Sequence, residues 1–163
     1  MIVVVADASP IHYLIQIGET QLLPLLFHRI VIPIEVFSEL TAGAAPAEVR
    51  EWTLQLPSWV EVRSAPAHDP KSMDLDAGEA AAIAIAEQEV EVLLLIDENL
   101  GRREATRRGI PNTGTLGVLR RAAIQQLLDF PAAIGRLRAT NFRVSYSLLQ
   151  ELLAEDANRK LNH

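Results

Sequence analysis

Two short apolar runs, each closed by an aspartate, constrain this chain more than any other feature. Ile2-Val3-Val4-Val5-Ala6 meets Asp7, and Val92-Leu93-Leu94-Leu95-Ile96 meets Asp97. Neither run alternates with polar residues. That is what a central strand of a parallel sheet needs, because both of its faces are covered. The segments around these runs carry apolar residues at helical spacing, so the chain reads as an α/β fold with a largely parallel sheet.

The spacing predicts strands over 2–6, 30–32, 60–62 and 92–96, with shorter ones around 110–112 and 142–144. Ser9 and Pro10 form a helix start, a capping hydroxyl followed by proline at the first helical position, and Gly18 ends that helix. Further helices are expected over 20–27, from Pro33 to Gly43, and over 46–56, 76–89 and 100–108. Three more are expected from about 115 to 127, over 131–137 and over 148–157. The stretch 64–72, with Pro66 and Pro70, reads as a loop too short for a domain linker.

At 163 residues the chain suits one domain, and 49% apolar content places it among globular proteins. No apolar run approaches the ~18 residues of a membrane span. The opening lacks a basic leader and reads as a buried strand rather than a signal peptide, so a soluble, cytoplasmic protein is expected. With no cysteine, disulfides, thiolate catalysis and zinc–thiolate sites are excluded. The net charge of −6 speaks against a nucleic-acid partner at first sight, but distribution matters more than the sum. Acids crowd into 35–51 and 69–98, whereas nine arginines lie between Arg102 and Arg143. Singly, each arginine reads as part of a solvated helix face; as a set they could form a phosphate-facing rim.

In an open parallel sheet, ligands bind outside the carboxyl ends of the strands, where Asp7 and Asp97 would emerge together. Paired carboxylates at one sheet edge suit a divalent cation, since Mg²⁺ takes hard oxygen ligands. Each aspartate also has a structural reading. Asp7 can start a turn, and Asp97 can cap the next helix in competition with Asn99. Glu39 sits near the C-terminal end of its helix, where the macrodipole disfavours an anion by ~0.3–1 kcal/mol, and a surface role is the default. Asp76-Ala77-Gly78-Glu79 fits a capping box, while Gly78 and the alanines after it would let this helix approach its neighbours closely.

Other chemistries find little support. His12, His28, His68 and His163 lack ligand spacing, and Trp52 and Trp59 read as packing residues. There is no Gly-rich phosphate loop. A receiver domain phosphorylated on aspartate would want an acidic pair after the first strand and a lysine at a late strand end. The only lysines here are Lys71 and Lys160.

The ordered set of motifs resembles a PIN domain. The set comprises Asp7-Ala8-Ser9-Pro10, then Glu39 within 36–40, then Leu75-Asp76-Ala77-Gly78-Glu79-Ala80 leading into an alanine-rich helix. The run before Asp97, then Gly101-Arg102-Arg103 and Gly114-Thr115-Leu116-Gly117-Val118-Leu119, continue it. The likeness covers about 2–153 and is closest to a prokaryotic, VapC-like branch. It implies a single domain over 1–163 with a three-layer α/β/α fold and a mainly parallel sheet of about 4–5 strands. It further implies a metal-dependent ribonuclease, a toxin of a type II toxin–antitoxin module, acting on RNA as a homodimer with an antitoxin partner and no membrane. Asp7, Glu39, Glu79 and Asp97 would be the acidic cluster binding Mg²⁺ or Mn²⁺. Asp7 and Asp97 would be direct ligands, with Glu39 and Glu79 acting through water or on the nucleophile. Ser9, Asn99 and Thr115 would be neutral donors beside them.

Two departures bear on the site. The third acid of many members is an aspartate, and here Glu79 stands in that place with Asp76 as a rival. Asn99 occupies a position where many members carry a further acid, so one metal ion is expected rather than two. A catalytically weak, PIN-like interaction module is the alternative. The apolar positions near 22–27 and 46–54 would be its partner surface, although core packing is the default for them.

Overall fold

The computed structural model describes residues 1–162, leaving aside the side chains of residues 72 and 73; His163 lies outside the described residues. The strands are β1 (Val3–Ala6), β2 (Ile30–Pro33), β3 (Val60–Arg63), β4 (Val92–Leu95) and β5 (Asn112–Thr113). They form one sheet in the order β3-β2-β1-β4-β5, and every pairing is parallel. The helices are α1 (Ala8–Gln16), α2 (Leu22–Phe27), α3 (Ile34–Thr41), α4 (Ala47–Leu54), α5 (Pro70–Met73) and α6 (Ala77–Glu87). They continue with α7 (Asn99–Arg107), α8 (Thr115–Ile124), α9 (Phe130–Arg138) and α10 (Tyr146–Leu161).

Pleating sorts the sheet's side chains into two layers. Val4, Ala6, Ile30, Ile32, Leu93 and Leu95 pack on one face against α1, α2, α8 and α9. Val5, Val31, Val92 and Leu94 pack on the other, against α6 and Ala105 of α7. The result is a three-layer α/β/α arrangement. The alanines of α6 are buried along its length, and their small size lets the helix lie against β1, β2 and β4. Strand order reverses between β1 and β4, which makes the carboxyl ends of these two strands the switch point where such sheets form a crevice.

Most expected elements form within one to three residues of their expected ends; the departures have local causes. Ser9 does not cap α1. Asp7 takes the N-cap position without a side-chain cap bond, and the Ser9 hydroxyl turns instead to Asp97. Residues 142–144 form no strand. Phe142 and Val144 pack, partly buried, against the core instead, and Phe142 meets Tyr13 edge-on at 4.9 Å. The stretch 64–72 is not wholly loop, since Asp69 caps the short α5. The helix expected to reach 127 ends at Ile124, followed by Gln126 at φ 60°. The last helix is longer than expected because Ser145 caps it, accepting from the Leu148 N–H at 3.2 Å. Around 22–27 and 46–54 most apolar residues turn inward, leaving Leu25 and Leu54 exposed. Among the described residues no helix is long and apolar enough to cross a membrane.

Candidate active site

Asp7 and Asp97 both stand at the carboxyl edge, but they face different layers. The register pairs Ala6 with Leu95, and the Asp7 N–H extends the ladder by donating to the Leu95 carbonyl at 2.9 Å. Asp7 thus continues the series Val3, Val5 that faces α6. Asp97 continues the series Leu93, Leu95 that faces α1 and α8.

On the α1/α8 side, Asp97 accepts three hydrogen bonds. Ser9 Oγ donates to Oδ2 at 2.7 Å and Thr115 Oγ1 to the same oxygen at 2.8 Å, while the Thr115 N–H donates to Oδ1 at 2.7 Å. Thr115 is fully buried at the start of α8. Asn99 is exposed at the start of α7 and is not brought into this network.

On the α6 side, Asp7 is buried, and Glu79 is buried one turn into α6. Asp76 caps α6 by accepting the Glu79 N–H at 2.8 Å, so the first half of the capping box forms. The Glu79 side chain lies beside the Asp76 carboxyl, and its Oε2 is buried without a partner. Glu39, on the exposed last turn of α3, reaches the same place. A Cβ added to Gly78 would lie 3.2 Å from Glu39 Oε2 and 3.3 Å from Asp7 Oδ1. Two other glycines border the acids still more closely. A Cβ on Gly101 would lie 2.8 Å from Glu79 Oε2, and one on Gly114 would lie 2.5 Å from Asp97 Oδ1. In the sequence, the run of small residues after Gly78 points to a close approach there alone. The signal for the others was present in the Gly101 and Gly114 motifs.

The electrostatics follow from burial without compensation. Burial lifts the Asp7 carboxyl to about 7; the Ala8 amide opposes this, while Asp76, Glu39 and Asp97 add to it. Burial, and then the neighbouring Asp76 carboxyl, push Glu79 up to about 8. Glu39 is raised as well, by desolvation and by Asp76. No ion pair among the described residues reaches any of these acids. Asp76, weighed in the sequence only as a rival to Glu79, acts here on Asp7, Glu39 and Glu79 together.

A cluster of oxygen donors, desolvated and lacking a cation, with one orphaned carboxylate oxygen, fits a hard divalent ion. Among the described residues no three acids or histidines converge as a complete ligand set. Asp7 and Asp97 leave their strands at positions of opposite parity, yet Asp97 still acts on Asp7. The residues therefore suit an ion held by one or two carboxylates with water filling the other positions, as Mg²⁺ is commonly held.

Other features lie elsewhere. A cavity of about 850 Å³ opens at the opposite edge of the sheet, beside Ile2, Val92 and Ile110, and none of the four acids lines it. Trp52 and Trp59 pack together at 6.0 Å against the core. His68 bonds the Pro66 carbonyl, and His12 lies against Tyr13.

A family model, DUF3368, described as a PIN domain, matches residues 3–158. No match to the chain was found among curated proteins or among solved structures.

Proposed function

Because the chain belongs to the PIN-domain family, whose members are generally nucleases, we propose that it is a metal-dependent endoribonuclease hydrolysing RNA phosphodiester bonds. The observation that carries this reading is the group of carboxylates at the β1/β4 switch point, Asp7 and Glu79 buried among them. No cation compensates them, and Glu79 Oε2 has no partner.

Asp7 and Asp97 are assigned as direct ligands of Mg²⁺ or Mn²⁺. When bound, such an ion makes water more acidic and offsets the charge that builds on the phosphoryl oxygens. Ser9 and Thr115 hold both oxygens of Asp97 and so fix its orientation. Glu39, on the exposed rim, would accept the proton of the attacking water. Glu79, anchored through Asp76, would hold an outer water with its unpartnered oxygen. Asp76 raises the proton affinity of both glutamates.

We read residues 1–163 as one such domain, acting in the cytoplasm as the VapC-like toxin of a type II toxin–antitoxin module. In that role it would form a homodimer and be held in check by an antitoxin. One observation favours a second reading, an interaction module with weak or no catalysis: no three side chains converge as a ready-made ligand set among the described residues.

The deciding experiment is cleavage of a labelled structured RNA with Mg²⁺ or Mn²⁺ by the wild type, Asp7→Asn and Asp97→Asn. Metal-dependent cutting lost in both variants supports the nuclease and its site. No cutting across several RNAs, with no thermal shift on adding either ion, sinks it in favour of the interaction module.

A further inference from the structure

The nine arginines between Arg102 and Arg143 divide by their partners. Arg107, Arg108, Arg120 and Arg136 each meet a glutamate at 2.6–2.8 Å. Arg121 lies over the Phe27 ring at 6.0 Å. Arg102, Arg103, Arg138 and Arg143 are exposed and, among the described residues, pair with no acid; of these four, Arg143 adjoins a segment fastened to α1.

A chain of contacts ties Arg143 to the acidic edge. Ser9 on α1 donates to Asp97 at 2.7 Å. Tyr13 lies one turn further along the same face of α1. Its hydroxyl donates to Asn141 Oδ1 at 2.8 Å, and its ring meets Phe142 edge-on at 4.9 Å. These two contacts fasten the segment ahead of α10 against α1, and Arg143 is the next residue. The Tyr13 phenol, raised chiefly by burial, is pushed up by Asp97 and drawn down by Arg143, so both charges act on one group.

An acidic cluster repels a polyanion, so a substrate phosphate beside it needs a cation that the protein has not already neutralised. A planar guanidinium matches a phosphate's oxygens with two parallel donors. We infer that Arg143 binds a backbone phosphate of the RNA next to the acidic cluster, with Tyr13, Asn141 and Phe142 holding it in position. This rests on the ribonuclease reading above.

The test is fluorescence anisotropy of a short labelled single-stranded RNA, in EDTA so that nothing is cut, followed by cleavage kinetics with Mg²⁺. Arg143→Ala should weaken binding roughly fivefold and lower the log–log salt slope by about 0.7, the signature of one lost single-strand phosphate contact. It should raise KM by a similar factor at nearly constant kcat. Arg143→Lys should keep the slope, and Arg107→Ala, at the far end of α7 and already paired with Glu104, should match the wild type. RNA bound with unchanged affinity and slope by Arg143→Ala overturns the assignment and leaves the nuclease standing. An equal loss in the Ala and Lys variants at unchanged slope overturns it too. A wild type that neither binds nor cuts RNA sinks both readings.

Discussion

Thr115 holds both oxygens of Asp97, its backbone N–H donating to Oδ1 at 2.7 Å and its hydroxyl to Oδ2 at 2.8 Å. It does so from the first residue of α8, so the positive end of that helix also faces the carboxylate. Ser9 supplies the third bond from α1. A strand-end aspartate gripped from two helices cannot swing to follow a ligand. Whatever binds must come to it.

Thr115→Val keeps the side chain's shape and the backbone donor and deletes only the hydroxyl. Asp97 retains Ser9, so stability should fall by about 1 kcal/mol. RNA cleavage should fall about 10–100-fold, as it does when an outer partner of a metal ligand is lost. Thr115→Ser should behave as the wild type. Urea midpoints and initial rates check both parts, and a Thr115→Val enzyme at full rate removes Thr115 from the positioning role.

Gly101→Ala should be destabilising for a steric reason. The new methyl would sit 2.5 Å from Ile96 Cδ1 and 2.8 Å from the buried Glu79 Oε2. Overpacking of this kind costs about 1–3 kcal/mol. Gly135 is the control, an exposed glycine inside α9 with nothing within 4 Å of an added Cβ. Gly135→Ala should stabilise by about 0.5–1 kcal/mol through helix propensity. Chemical denaturation of the two variants should move the midpoint in opposite directions. Two shifts of the same sign would refute the crowding around Glu79.

Much of this site was legible because unalternating apolar runs announce central parallel strands, and the residue after such a run falls at the carboxyl edge. Parity was not drawn from the sequence. Asp7 and Asp97 look equivalent as strand endings, yet the register that pairs Ala6 with Leu95 sets them at positions of opposite parity, and that pairing is a tertiary fact. Asp76 looked like a cap and proved to be both a cap and a neighbour of three other acids. The apparent strand at 142–144 failed because β-branched and aromatic residues pack as well on a helical layer as in a sheet.

The acid cluster sets an unusual pH dependence. Asp7 rises from 3.8 to about 7 and Glu79 from 4.5 to about 8, so the folded chain holds protons that the unfolded chain has released. Between the unfolded and folded values, stability must fall as pH rises, by about 1.4 kcal/mol per pH unit for each fully buried group. Glu104 is held down to about 2 by Arg107 and Arg108 and acts only below 4.5, outside this window. In EDTA the Tm should decline from about pH 5 to about pH 8 and then level off. Since cation binding needs ionised carboxylates, Mg²⁺ should raise the Tm more at the upper end than at the lower. A flat or rising Tm across this range in EDTA contradicts the burial of these acids.

Asp7→Asn separates stability from function at one position. Burial is the largest cause of the raised Asp7 pKa, so at pH 8 the metal-free wild type carries an ionised carboxylate in a place that resists charge. Asparagine keeps the shape without the charge. Its amide has bonding needs of its own, which trim the gain to about 1–3 kcal/mol. The variant should therefore melt higher than the wild type in EDTA at pH 8, yet gain little from Mg²⁺ and cut no RNA. Thermal melts with and without Mg²⁺ read all of this in one plate. A variant that melts lower than the wild type and still responds fully to Mg²⁺ would remove Asp7 from the centre of the cluster.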